Sequence, residues 1–143
     1  VILMLYSEYQ ARREISDAKG ESNDCAVIAL SLTCRLPYHT VHAALAQQGR
    51  KNNDGTRFEQ TQAAVTALGF RLTELIDPVQ PSGSRYTPKT VGRLLQEGSY
   101  LCRVKGHIFA VIDGRVLDWT DGKRHRINRI YKVEKANQPI DIK

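Results

Sequence analysis

Cysteine is scarce in this chain of 143 residues: there are three, Cys25, Cys34 and Cys102. The odd count and the lack of any Cys-x-x-Cys spacing argue against a disulfide framework. No grouping of these thiols with the four histidines has a recognisable metal-ligand spacing either, so neither a metal nor an organic cofactor is expected. Long apolar runs are also missing. Val1 to Tyr6 is apolar but short, has no basic residue ahead of it and runs into charge, so no secretory leader and no membrane association are expected. Internal repeats and low-complexity tracts are absent. Free thiols in a reducing, cytoplasmic setting are the natural expectation.

What is present fits a globular protein. The chain is 41% hydrophobic and 25% charged, and its length suits one domain spanning 1–143. The formal charge of +6 is spread along the chain and favours no particular partner. Arg50-Lys51 and Lys123-Arg124-His125-Arg126, with Arg129 and Tyr131 beyond, are the basic stretches. Cations beside aromatics can hold single-stranded nucleic acid. Basic turns are more often a solvated face, so nucleic acid ranks last among the partners.

Taken in order, Val1 to Tyr6 reads as a short strand or apolar arm, and Glu8 to Ala18 as a loop or fraying helix. Ala26 to Leu32 is apolar except for Ser31, the pattern of a helix buried on all sides. Asn23 and Asp24 stand before it as candidate N-caps. Further helices are expected after Pro37, with Gly49 as a left-handed stop, and from about Thr56 to Gly69. A fourth is expected after Thr87-Pro88, carrying Val91, Leu94 and Leu95 and closed by Gly98. Asp77 to Pro88 is a loop, and Phe70 to Ile76 reads as a strand. From Ser99 the period changes to that of strands: Tyr100 to Val104, His107 to Ile112, Arg115 to Trp119 and Arg126 to Val133. Asp113-Gly114 between apolar runs is a strong hairpin signal. Helices followed by an antiparallel sheet define an α+β fold.

Cys25 opens the buried helix, where the free N–H groups and aligned peptide dipoles favour a thiolate. The plainer alternative is a small core hydrophobe, which is what most free cysteines are. A nucleophile needs a base, and the base an orienting acid. Of the four histidines only His107 sits on an expected sheet strand. If Asp113-Gly114 is a two-residue turn, Ile112 pairs with Arg115 and Phe109 stands opposite Asp118. His107, Phe109 and Asp118 then share a face, with His107 and Asp118 diagonal neighbours about 7–8 Å apart along the backbone. Asp121 needs a different register and ranks below Asp118. A strand histidine beside an aspartate can also be no more than a satisfied polar pair. Trp119 points away from Asp118 in this register, to shield the sheet or, with enough twist, to roof His107. Cys34, nine residues along from Cys25, is expected in the core.

A helix opening with Asp24-Cys25, then a sheet carrying Gly106-His107 and a downstream Asp118, resembles the papain-like cysteine peptidases. The resemblance is to the branch that processes bacteriocin leader peptides and to small bacteriophage proteins of that type. It extends through Asn23-Asp24-Cys25-Ala26-Val27, Leu36-Pro37-Tyr38 to Ala44-Leu45, Gly49-Arg50, and Val104-Lys105-Gly106-His107 to Val111-Ile112-Asp113-Gly114. It implies an N-terminal helical lobe and a C-terminal β-lobe, with Cys25, His107 and Asp118 meeting across the cleft between them. The family normally places an oxyanion-binding glutamine about six residues before the cysteine, where this chain has Lys19. The remaining oxyanion candidates are the Cys25 backbone N–H with Asn23, Ser22 or Lys19. The expected activity is a cysteine hydrolase cutting a peptide or isopeptide bond in a peptide or protein substrate, phage-encoded and acting in the host cytoplasm. The rival expectation keeps the fold without the chemistry, as a phage-encoded binder of a host protein.

Overall fold

A computed structural model of the chain describes residues 2–76 and 78–136. Val1, Asp77 and 137–143, which the expected first strand, the proline-rich loop and the 1–143 span include, lie outside the described residues. Four helices precede most of a five-stranded antiparallel sheet: α1 (Ile2–Lys19), α2 (Cys25–Thr33), α3 (Tyr38–Gln47), α4 (Phe58–Ala67), β1 (Phe70–Glu74), β2 (Ser99–Val104), β3 (His107–Ile112), β4 (Arg115–Leu117) and β5 (Arg129–Lys135). The sheet order is β1-β5-β2-β3-β4, and every pairing is antiparallel. The fold is α+β, as the change of period along the sequence implies. No helix among the described residues is long and apolar enough to cross a membrane.

The sheet separates two apolar layers. Successive side chains of β3 point to opposite sides, so Ile108, Ala110 and Ile112 pack with the helices, while Phe109 and Val111 join Tyr86, Val91, Leu95 and Ile127 on the other side. Helix α2 lies against β3, and every residue from Ala26 to Thr33 is buried. Its two interior hydroxyls are satisfied: Ser31 donates to the Ile28 carbonyl and Thr33 to that of Ala29. Arg12 of α1 clamps the far end of α2 by donating to Ser31 Oγ at 2.8 Å and to the Leu36 carbonyl at 3.1 Å.

Two expected elements are corrected. Val1–Tyr6 is neither strand nor arm: from Ile2 it is the first turns of α1, continuous with the polar segment after it. Leu5, Tyr9, Arg12 and Ser16 recur at helical spacing on the face turned to the protein, a stripe hidden because two of its four members are polar. The helix expected after Pro88 shrinks to one 3-10 turn, Val91–Arg93, and Leu94 is 39% exposed. Gly92 lies so close to the β3–β4 hairpin that a Cβ there would sit 2.5 Å from the Gly114 carbonyl oxygen. Gly98 and Asp113 then exchange hydrogen bonds that draw the chain out into β2.

The caps also differ from expectation. Asp24 holds the N-cap position of α2, but its side chain bonds no amide of the first turn. Its carboxylate instead accepts the Tyr38 hydroxyl at 2.5 Å, and Asn23 donates its side-chain amide to the Asn53 carbonyl at 2.7 Å. The strongest local expectation concerns the hairpin. Asp113 and Gly114 both have positive φ, at 49° and 81°, as a two-residue I′ turn requires, and Ile112 pairs with Arg115.

Candidate active site

Three elements deliver the site. The hairpin register brings Ala110 opposite Leu117, so the next step along β4 carries Asp118 toward the start of β3. There His107 Nε2 and Asp118 Oδ2 are 2.8 Å apart. Asp118 is itself held: Thr120 donates to the same oxygen from its hydroxyl at 2.7 Å and from its backbone N–H at 3.2 Å. Thr120 is fully buried, so this Asp-x-Thr clasp is shielded from water. With Nε2 engaged by Asp118, His107 lines one cleft with Cys25, close enough for the thiol to act on the charge of the ring. Cys25 is the first residue of α2 and is partly exposed.

The electrostatics of the ring follow from these contacts. Burial opposes a charge on His107, but the hydrogen bonds and charges of Asp118 and Cys25 outweigh it and push its pKa up to about 9. The ring therefore carries its proton across neutral pH. The other two thiols differ in kind: burial pushes Cys34 up to about 11 and raises Cys102 as well, which keeps both protonated. Cys34 is buried, as its place late in α2 implied.

Cys25 and His107 open on a cleft of about 240 Å³ between α2, the segment before α4, and the β2–β3 turn. Asn23, Thr56, Phe58 and Arg103 line it. The Arg103 guanidinium sits 4.3 Å above the Phe58 ring, which stacks in turn on Tyr131. The Thr56 hydroxyl is buried in this wall without a hydrogen-bond partner. Trp119, 55% exposed, tilts over the ring of His107 at 5.2 Å between centroids. Of the two positions open to it, roofing the histidine is the one it takes.

The other sequence candidates fall as follows. Asn23 lines the cleft, with its amide shared with Asn53. Ser22 is exposed and donates its backbone N–H to Asn53 Oδ1 at 2.9 Å. Lys19 ends α1, exposed, and is not part of the cleft wall. The described residues contain no cluster of three or more His, Cys, Asp and Glu side chains able to hold a metal.

Sequence reasoning missed the shell around these groups. Thr120 was findable, because an aspartate two residues before a threonine is a local turn motif. Asn53, Glu21 and Arg50 were not: Glu21 takes Arg50 in a two-pronged ion pair at 2.8 and 3.1 Å and accepts the Asn53 backbone N–H at 2.9 Å, across about thirty residues of sequence. This knot fixes the loop that in turn holds Ser22 and Asn23 beside the cysteine.

Compared with known proteins, the chain matches no family model, no curated sequence and no solved structure.

Proposed function

We propose that this chain is a cysteine hydrolase of the papain-like type, cutting a peptide or isopeptide bond in a peptide or protein substrate. The observation that carries the proposal is one cleft lined by both the Cys25 thiol and the His107 imidazole, with the imidazole held by the Asp118 carboxylate at 2.8 Å. In this reading the Cys25 sulfur, its proton held by His107, attacks the substrate carbonyl carbon. The oxyanion that forms lies at the N-terminus of α2, where the Cys25 backbone N–H and the Asn23 side-chain amide are the candidate donors on the cleft wall. His107 passes its proton to the leaving nitrogen, the C–N bond breaks and a thioester remains. The ring, now neutral, takes a proton from water as the water attacks the thioester, and the acid product leaves with Cys25 restored. Asp118, itself anchored by Thr120, keeps the ring aimed and balances its charge throughout. No metal or organic cofactor enters these steps. The resemblance of its short motifs to those of small phage proteins is what supports a phage origin and action in the bacterial cytoplasm.

One observation favours a second reading. Lys19 stands where the family has its glutamine and lies off the cleft, while the Asn23 amide already serves Asn53. Losing one oxyanion donor costs on the order of 10²–10³ in rate. A chain so depleted would serve as a binder of a host protein. The two readings separate on alkylation by iodoacetamide at pH 6, followed by peptide mapping. Hydrolase chemistry requires Cys25 to react far faster than Cys34 and Cys102, and that rate to fall in His107→Ala. Equal, slow alkylation at all three thiols rejects it and leaves the binder.

A further inference from the structure

The basic stretch at 123–126 gains a partner that the sequence does not show. The loop from Gln80 to Thr90 folds against it, and the two form a groove of about 660 Å³ separate from the cysteine cleft. Arg85 and Lys89 line it from one side, Arg124 and Arg126 from the other, and no aspartate or glutamate is among its lining residues. Among the described residues none of these four cations meets a carboxylate, whereas Arg12, Arg13, Arg50, Arg71 and Arg129 each do. Four unpaired charges facing one concavity repel one another unless an anion enters between them.

The groove is built rather than accidental. Backbone bonds stitch its walls together at both ends, from Lys89 N–H to the Lys123 carbonyl at 3.0 Å and from Ile127 N–H to the Tyr86 carbonyl at 2.9 Å. Arg85 is braced from below by donating to the Asn128 carbonyl at 3.3 Å. Between the two arginines, His125 packs edge-on against the exposed Trp119 at 5.6 Å between ring centroids. The indole does not line the groove but is joined to its Arg124–Arg126 wall through His125, which puts a stacking surface next to a cationic channel, the pairing that suits an unpaired nucleic-acid strand.

We propose that this groove binds the phosphate backbone of single-stranded nucleic acid. No residue of the cysteine cleft lines the groove, although Trp119, which roofs His107, lies between the two sites; the binding assay reads the groove arginines and not the thiol, so it holds or fails independently of the hydrolase reading. It is tested on the full chain by fluorescence anisotropy with a labelled 20-nucleotide oligo(dT) strand. Neutralising four phosphates gives a salt slope of about −3, a loss of roughly 50-fold in affinity between 50 and 200 mM salt. The double variant R124A/R126A halves that slope and weakens binding at 50 mM by at least tenfold, and R124K/R126K restores most of it. K19A/K51A, which removes the same charge outside the groove, leaves binding within about twofold. The proposal is overturned if both double alanine variants lose affinity equally, since that is diffuse attraction to a basic protein. It is equally overturned if no salt-dependent binding is found, if duplex DNA binds as tightly as the single strand, or if inorganic phosphate or a polyglutamate of equal charge displaces the strand at matched concentration.

Discussion

Among the described residues, two histidine–carboxylate pairs have the same length. His42 Nε2 lies 2.8 Å from Glu21 Oε2, and His107 Nε2 lies 2.8 Å from Asp118 Oδ2. Their surroundings set them apart. Glu21 is also held by the Arg50 guanidinium and the Asn53 N–H, and His42 stacks on Tyr38, so the acid of the first pair is already neutralised within the fold. Asp118 takes neutral donors from Thr120, leaving His107 as its cation, and the ring shares an open cleft with a thiol. The distance within a pair therefore says little about its role. What decides is whether a permanent cation already neutralises the acid, and what shares the surroundings of the ring.

The sharpest way to break the comparison is to remove the thiol or the ring. Cys25→Ala and His107→Ala should each abolish hydrolysis, a loss on the order of 10⁶ if the groups act as a unit, while His42→Gln leaves the rate within about tenfold. A peptide-library digest read by mass spectrometry checks all three. If His42→Gln is as damaging as His107→Ala, the distinction drawn between the pairs is wrong.

Asp118→Asn comes next, with an expected fall in kcat/KM on the order of 10³–10⁴. It carries a pH signature as well. The hydrogen bond and charge of Asp118 help hold His107 near 9, so the alkaline limb of the profile, set by loss of the ring proton, lies near pH 9 and moves down in the variant. The same shift predicts a stability effect. A raised folded value means that the contribution of His107 is complete below about 6.5 and disappears as pH rises through about 9. Urea midpoints of wild type should therefore drop across that window, and those of His107→Ala should not.

How much of this was legible in the sequence depends on how local each signal is. The hairpin was readable because Asp113-Gly114 can take two consecutive positive φ values, and from it the contact of His107 with Asp118 follows by counting. Helix α2 was readable because it is apolar on every side. The fourth helix was misread because Val91 and Leu95 are buried at helical spacing, yet the close approach of Gly92 to Gly114 is a tertiary fact. Asp24 looked like a cap because nothing nearby announces Tyr38, and the Glu21–Arg50 pair joins residues 29 positions apart. Cys25 and His107 open regular elements and were reachable; the groups around them lie on loops, and of these Thr120 alone had a local signal.

Arg50→Met tests the structural pair. It leaves Glu21 buried opposite His42 alone, and breaking such a pair costs about 3–5 kcal/mol of stability. Its pH dependence runs opposite to that of the cleft pair. The two-pronged bond from Arg50, with smaller help from Asn53 and His42, overcomes burial and holds Glu21 down to about 2. The stability it contributes is thus full above the ordinary glutamate value and disappears as pH falls through about 2. In Arg50→Met the acid-unfolding midpoint, followed by circular dichroism, should rise toward pH 4. An unchanged midpoint would mean that Glu21 is not the charge Arg50 stabilises.

The smallest expected effect belongs to Thr120→Val, which keeps the buried volume but removes the hydroxyl that grips Asp118 Oδ2 at 2.7 Å. Asp118 retains the Thr120 backbone N–H and the ring, so the carboxylate stays charged but is held by one fewer contact. Loss of a hydrogen bond to a charged group is worth about 1.5–3 kcal/mol, part of which water or a small rotation of the carboxylate recovers. The expected result is a fall in kcat of about tenfold, with KM unchanged because Thr120 does not line the cleft. Thr120→Ser, which restores the donor, should return most of the rate. If Thr120→Val keeps the rate and Thr120→Ser loses it, the methyl group rather than the hydroxyl matters, and the clasp is packing rather than aim.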